Sequence, residues 1–94
     1  MTSRMPRTEK YGLSDQIKRS AVSIPSNIAE GHARWTTREF IHFLYIAAGS
    51  AAELETQLML VKELRWTDKV DDLLSETKSI RMMLSKLITS LNLN

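Results

Sequence analysis

The strongest constraint on the fold of this chain is an apolar repeat that runs from residue 40 to residue 61 in alternating steps of four and three. Its members are Phe40, Leu44, Ala47, Ala51, Leu54, Leu58 and Val61. Such spacing places every member on one stripe of an α-helix and is typical of a heptad seam. A second seam with the same spacing follows at Val70, Leu73, Thr77, Ile80, Leu84, Leu87 and Leu91. Two seams joined by a short connection predict an antiparallel helical hairpin, with helices at about 37–64 and 68–92.

Capping signals mark where these two helices begin. Thr36 and Glu39 have the spacing of a capping box, in which each side chain satisfies a backbone donor at the other position. Trp35 and Phe40 flank that cap in the arrangement of a hydrophobic staple. Thr67 is the expected cap of the last helix.

An earlier helix is predicted at about 14–30, with Ser14 as its N-cap and Gly31 as its stop. Its apolar stripe consists of Leu13, Ile17, Ala21, Ile24 and Ile28. Residues 1–12 show no periodicity and are interpreted as a leader or loop. The prediction is therefore an all-α, up-down antiparallel helical bundle that forms one domain over residues 1–94. Gly49 lies in a run of small residues, 47–52, which predicts close backbone approach by another helix.

Composition excludes several classes of protein. The chain has 94 residues and no Cys, so disulfides and thiolate zinc sites are excluded. No apolar run reaches the roughly 18 residues of a membrane span, and we expect a cytoplasmic protein with no membrane partner. The net charge is +2, and residues 1–50 carry seven Lys or Arg against four Asp or Glu. That excess permits a nucleic-acid partner for the N-terminal half.

Two segments resemble a known family. The run 23–31, Ser-Ile-Pro-Ser-Asn-Ile-Ala-Glu-Gly, with residues 11–22 before it and residues 40–58 after it, closely resembles the bacterial 23S rRNA intervening-sequence proteins. The resemblance covers about residues 6–91. It implies a four-helix, up-down bundle that assembles as a homopentamer. A related branch, the accessory proteins of diversity-generating retroelements, works with a reverse transcriptase through a basic nucleic-acid-binding surface. The biochemical activity of most members is unknown.

The sequence departs from the family at its beginning, because the long first helix of the family has no counterpart before residue 13. We therefore expect three helices and an apolar groove left open along the bundle. The alternatives are a start codon upstream of Met1, a shortened chain, or a partner subunit that fills the groove.

The candidate nucleic-acid-binding residues are Lys18, Arg19, Arg34, Trp35 and Arg38. Arg34 places a cation beside a ring that can stack on a base. The competing interpretation is that Trp35 packs on Phe40 and that the Lys and Arg side chains form a solvated surface. A second set, Asn27, Glu30, Ser50 and Glu53, is expected to form a polar network between helices, with a structural role favoured over catalysis.

No catalytic, metal or cofactor site is predicted, and the chain is not expected to be an enzyme. Glu39 and His42 have the spacing of half a di-iron motif, but the sequence lacks the second half. His32 has no Ser or Asp in a defined relation to it. The leading hypothesis is a non-enzymatic oligomer that binds RNA or DNA through phosphate contacts. The alternative is a protein-interaction module that binds a partner helix in the open groove.

Overall fold

A computed structural model describes residues 7–65 and 67–93 and contains three helices in those ranges. They are α1 (Arg7–His32), α2 (Thr37–Glu63) and α3 (Val70–Asn92), and the described residues contain no strand. The all-α prediction is confirmed, and so is the hairpin formed by the two seams. The observed ends of α2 and α3 differ from the predicted ones by two residues or fewer.

Side-chain capping explains where α2 begins. The Thr36 Oγ1 accepts the backbone N–H of Glu39 at 3.1 Å, as the capping box predicts, while its hydroxyl donates to the Glu39 carboxylate. At the other end, Arg65 has φ 54°, a left-handed conformation that stops the helix. Thr67 does not cap α3 itself. Its hydroxyl accepts the N–H of Lys69 and stabilises the turn before Val70, where α3 begins.

The start of α1 was predicted seven residues too late. Residues 7–12 are helical, so Ser14 is not the N-cap. The prediction that residues 7–12 belong to a leader or loop is therefore wrong. A single Gly costs a helix about 1 kcal/mol relative to Ala, which the flanking helix formers offset, so Gly12 does not break α1. Residues 1–6 of the expected leader lie outside the described residues.

The glycines have roles different from those predicted. Gly31 is not a helix stop, because α1 continues to His32 and no described Gly has positive φ. It is instead a point of close approach, since a Cβ atom built there would lie 2.6 Å from the Cβ of Phe43 on α2. A Cβ atom at Gly49 would meet nothing within 4 Å, so neither α1 nor α3 approaches that residue in the described part of the chain.

The three helices form one layer with α2 in its centre. α1 and α3 each pack on α2 in antiparallel fashion, and within the described ranges no Cα atom of α1 lies within 8 Å of a Cα atom of α3. The layer measures 54 × 22 × 13 Å, and its radius of gyration of 15.5 Å exceeds the about 12 Å expected for a compact chain of this length. The core is formed by the α2 seam together with Ile24, Val70, Leu84 and Ile88.

One side of this layer carries apolar residues of α1 and α3 that are half-buried or exposed. Ser50 marks the side of α2 that faces α1, and Glu55 marks the side that faces α3. Glu55 comes five positions after Ser50, so at 3.6 residues per turn the two side chains point about 140° apart. We define the apolar groove by the half-buried or exposed apolar residues on the flanks of α1 and α3 that lie away from these polar contacts. They are Ile17, Ala21 and Ile28 on α1 and Leu73, Ile80 and Leu87 on α3.

Candidate functional site

Trp35 lies at the tip of the α1–α2 turn, and its side chain is 98% exposed. The predicted staple between Trp35 and Phe40 is therefore wrong. The end of α1 covers Phe40 instead, because the His32 ring meets the Phe40 ring edge-on at 5.8 Å and Gly31 lies against the same ring. The indole of Trp35 consequently has no packing role inside the chain.

The structure brings part of the predicted cationic set together at this tip. Arg34 donates to the Glu30 carboxylate at 2.6 Å and lies 4.8 Å from the centroid of the Phe43 ring, so its guanidinium is held in place. Arg38 is exposed on the first turn of α2. Lys18 and Arg19 are separate from this group, since Lys18 lies about 21 Å along α1 before its last residue, His32, at 1.5 Å per residue.

Charge at the tip is balanced. Arg34 and Arg38 lie among Glu30 and Glu39, so the four side chains have no net charge. Further along α1, Arg19 donates to the Asp15 carboxylate at 3.0 Å. The Trp35 tip therefore offers an exposed aromatic surface with two cations, but not a strong positive field.

The predicted polar network is present in a different form. Ser23 and Ser50 share a hydrogen bond of 2.7 Å across α1 and α2, and the Asn27 Nδ2 donates to the Oγ of Ser23 at 2.9 Å and to its carbonyl at 2.8 Å. Glu30 is bound to Arg34, and Glu53 is exposed on α2, so neither carboxylate joins this network. Ser23 lies one turn before Asn27, and that i, i+4 spacing is the signal in the sequence that could have identified it.

The two histidines make ring contacts. The His42 ring meets Phe43 at 5.4 Å, and His32 meets Phe40 as described above. Within residues 7–65 and 67–93, no three His, Asp or Glu side chains are grouped in a way that could hold a metal ion. No helix in the described part of the chain is long and apolar enough to cross a bilayer.

A basic segment in the second half of α3 was not predicted from the sequence, because charges were compared between halves of the chain. The second half contains seven acidic residues, all before residue 77, followed by Lys78, Arg81 and Lys86. A count along α3 rather than over the whole half would have revealed this segregation. Two depressions of about 280 and 330 Å³ lie between α3 and α2, and Arg81 lines both of them.

These features define a class of small all-α proteins in which three long helices form an open layer around a heptad-type core. The family model for the 23S rRNA-intervening sequence protein matches residues 1–86, which include α1, α2 and most of α3. The chain belongs to this family. No curated protein matches it.

Proposed function

We propose that this chain is a non-enzymatic scaffold that assembles with copies of itself and binds RNA or DNA on its outer surface. The observation that carries the proposal is the apolar groove. Its residues lie on both flanks of a central helix and leave apolar area in contact with water, which costs about 25 cal/mol for each Å². A single chain of 94 residues buries only a modest apolar core, so little stabilising free energy is available to offset that cost.

A second copy of the chain is the proposed occupant of the groove. The open layer is larger than a compact domain of the same length, as its radius of gyration indicates. The family resemblance adds the expectation of a cyclic pentamer.

Nucleic-acid contact is supported by the exposed ring of Trp35. Large aromatic side chains without internal contacts are typical anchors for ligands, and stacking on a base contributes about 1–3 kcal/mol. Arg38, also exposed, is available for a phosphate at the same tip.

Self-association is tested with two neighbouring substitutions on α1. Ala21 and Val22 are both exposed in the single chain, but Ala21 lies in the apolar groove whereas Val22 points away from α2. Light scattering at micromolar concentration should give an oligomeric mass for the wild type and for Val22→Glu, and a reduced mass for Ala21→Glu. A single-chain mass for the wild type would refute self-association, and equal masses for the two variants would refute the assignment of the groove as the interface.

Nucleic-acid binding is tested at the tip with Trp35→Ala, using Tyr11→Ala as the control because Tyr11 is an exposed aromatic far along α1. Trp35→Ala should weaken single-strand binding roughly fivefold or more, as loss of one stacked base predicts, without changing the dependence on salt. Its melting temperature should match that of the wild type, because the ring has no packing role. No retention of RNA or DNA by the wild type at about 50 mM salt would contradict the proposal, since phosphate contacts are strong there.

A partner helix from another protein is the second candidate for the groove. Met83 is 68% exposed and lies within one turn of both Ile80 and Leu87, and methionine side chains adapt readily to different partners. Co-purification after nuclease treatment distinguishes a partner helix from a second copy of the chain as the occupant of the groove. A stoichiometric foreign protein that Ala21→Glu fails to retain would favour the partner helix over a second copy.

A further inference from the structure

We propose that the outer cleft between α2 and α3 is a binding site for the phosphates of a single-stranded nucleic acid, with Tyr45 as the ring on which a base stacks. We define the outer cleft by Tyr45, Ala48, Lys78, Arg81, Ser85 and Thr89. The inference rests on the proposed function and assigns it to a surface other than the Trp35 tip.

The first argument is the distribution of charge. From residue 77 onward the chain has three cations and no Asp or Glu, whereas residues 51–76 contain seven acidic side chains against three cations. The two cations at the Trp35 tip are balanced by two carboxylates. The second half of α3 is therefore the part of the hairpin where a positive field is present, and such a field attracts polyanions.

The second argument is the spacing of polar residues along α3. Lys78, Arg81, Ser85 and Thr89 follow one another in steps of three, four and four, so they form one row on the helix. The row extends about 16 Å along α3 at 1.5 Å per residue. The two depressions along it share Arg81 and Ser85, so they are neighbours on the same side of α3. Lysine, arginine and hydroxyl groups are the side chains that proteins use to contact phosphate oxygens.

Glu55 positions Arg81, one of the two cations of this row. Its side chain is 14% exposed and is bound to the Nη1 of Arg81, which is itself still 45% exposed. A guanidinium has five N–H donors, so the bond to Glu55 orients Arg81 across the cleft and leaves donors for a phosphate. Glu55 reduces the local charge by one, but Lys78 retains its full charge at the same edge.

The exposed ring of Tyr45 favours a single-stranded ligand over a duplex. Its ring is 58% exposed and lies beside the small side chain of Ala48. A base must be unpaired to stack on a protein ring, and this stacking tolerates any sequence. Tyr45 is ten residues from Trp35, about 15 Å along α2, so one strand is long enough to contact both rings.

The experiment measures fluorescence anisotropy of a labelled oligothymidine against salt concentration, using the full chain. Lys78→Gln and Lys86→Gln remove the same charge from α3, but Lys86 does not line the cleft. Lys78→Gln should lower the slope of log affinity against log salt by about 0.7, the value for one phosphate contact on a single strand. Lys86→Gln should leave the slope close to that of the wild type. Tyr45→Leu should weaken binding several-fold with no change in slope.

Both lysines are exposed on the surface, so these variants should fold, and a melting curve for each confirms it. Equal slopes for Lys78→Gln and Lys86→Gln, in a wild type that does bind, would overturn the cleft and leave the proposed function intact. No binding by the wild type at about 50 mM salt would overturn both. As an independent test, NMR shifts on titration should move at Ser85 and Thr89, and shifts confined to the Trp35 tip would exclude the cleft.

Discussion

Gly31 and Gly49 both lie inside helices, yet the structure predicts opposite responses when each is changed to Ala. A Cβ atom at Gly31 would lie 2.6 Å from the Cβ of Phe43 and 3.0 Å from the Cδ1 of Phe40. The Cβ of Phe43 is fixed to the backbone of α2, so no change of rotamer relieves the overlap. At Gly49 the added methyl group would meet nothing within 4 Å beyond the backbone of its own helix turns, among the described residues.

The magnitudes follow from two opposing effects. Ala is more favourable than Gly in a helix interior by about 1 kcal/mol, and this gain applies to both positions. Overpacking a close contact costs about 1–3 kcal/mol, and an overlap between two Cβ atoms belongs to the upper half of that range. Gly31→Ala should therefore destabilise the chain by about 1–2 kcal/mol. Gly49→Ala should stabilise it by up to about 1 kcal/mol.

The assay is urea unfolding followed by circular dichroism, at a protein concentration at which all variants have the same mass. Gly12→Ala is the control, because Gly12 is also helical and its Cβ would also meet nothing within 4 Å. It should behave like Gly49→Ala. If Gly31→Ala proved as stabilising as Gly12→Ala, the close approach of α1 to α2 at Phe43 would be incorrect. If Gly49→Ala were destabilising at a concentration that favours oligomers, another copy would pack against Gly49.

Two further predictions concern the α2–α3 hairpin. Leu54 is buried in the α2 seam, so Leu54→Asp should cost about 4 kcal/mol or more and unfold the chain. Lys69→Asp, at the exposed N-cap of α3, should not destabilise the chain, because Asp is favoured at a helix N-terminus. Equal tolerance of both in thermal melts would refute the seam. The hydrogen bond and charge of Asp71 raise the pKa of Lys62 above its usual 10.5, so this pair contributes stability below pH 10.5 that is lost as the pH rises through the folded value. The melting-temperature difference between wild type and Asp71→Asn should shrink above pH 10.5, and a difference that grows there would contradict the assignment.

Local patterns were sufficient to predict the hairpin. The step of four and three that runs through Leu44, Leu54 and Leu58 allows one helical stripe and no strand, and the structure buries all three side chains. Thr36 caps α2 because its hydroxyl reaches a backbone donor three residues away, a contact that depends on nothing outside the turn. Such short-range interactions are encoded by neighbouring residues and are independent of the rest of the fold.

Predictions that required knowledge of a neighbouring helix were less successful. The staple between Trp35 and Phe40 has the correct spacing, but the end of α1 occupies the surface of Phe40 and leaves Trp35 in solvent. Gly31 has the sequence context of a helix stop, yet its role is fixed by Phe43 on the next helix. In each case two competing contacts were compatible with the local sequence, and the packing of α1 on α2 selected between them.

The sequence by itself determined three features of this protein: its family, its all-α class and the register of its two heptad seams. Each depends on residues close together in the chain or on their helical period. Only the tertiary structure decided which sides of the helices remain open. The apolar groove follows from the placement of α1 and α3 on either side of α2. Trp35 is exposed because the end of α1 covers Phe40, and the outer cleft forms where α3 packs beside Tyr45 and Glu55 of α2. Helical periodicity determines which side chains share a face, but the relative placement of three helices determines whether that face is covered.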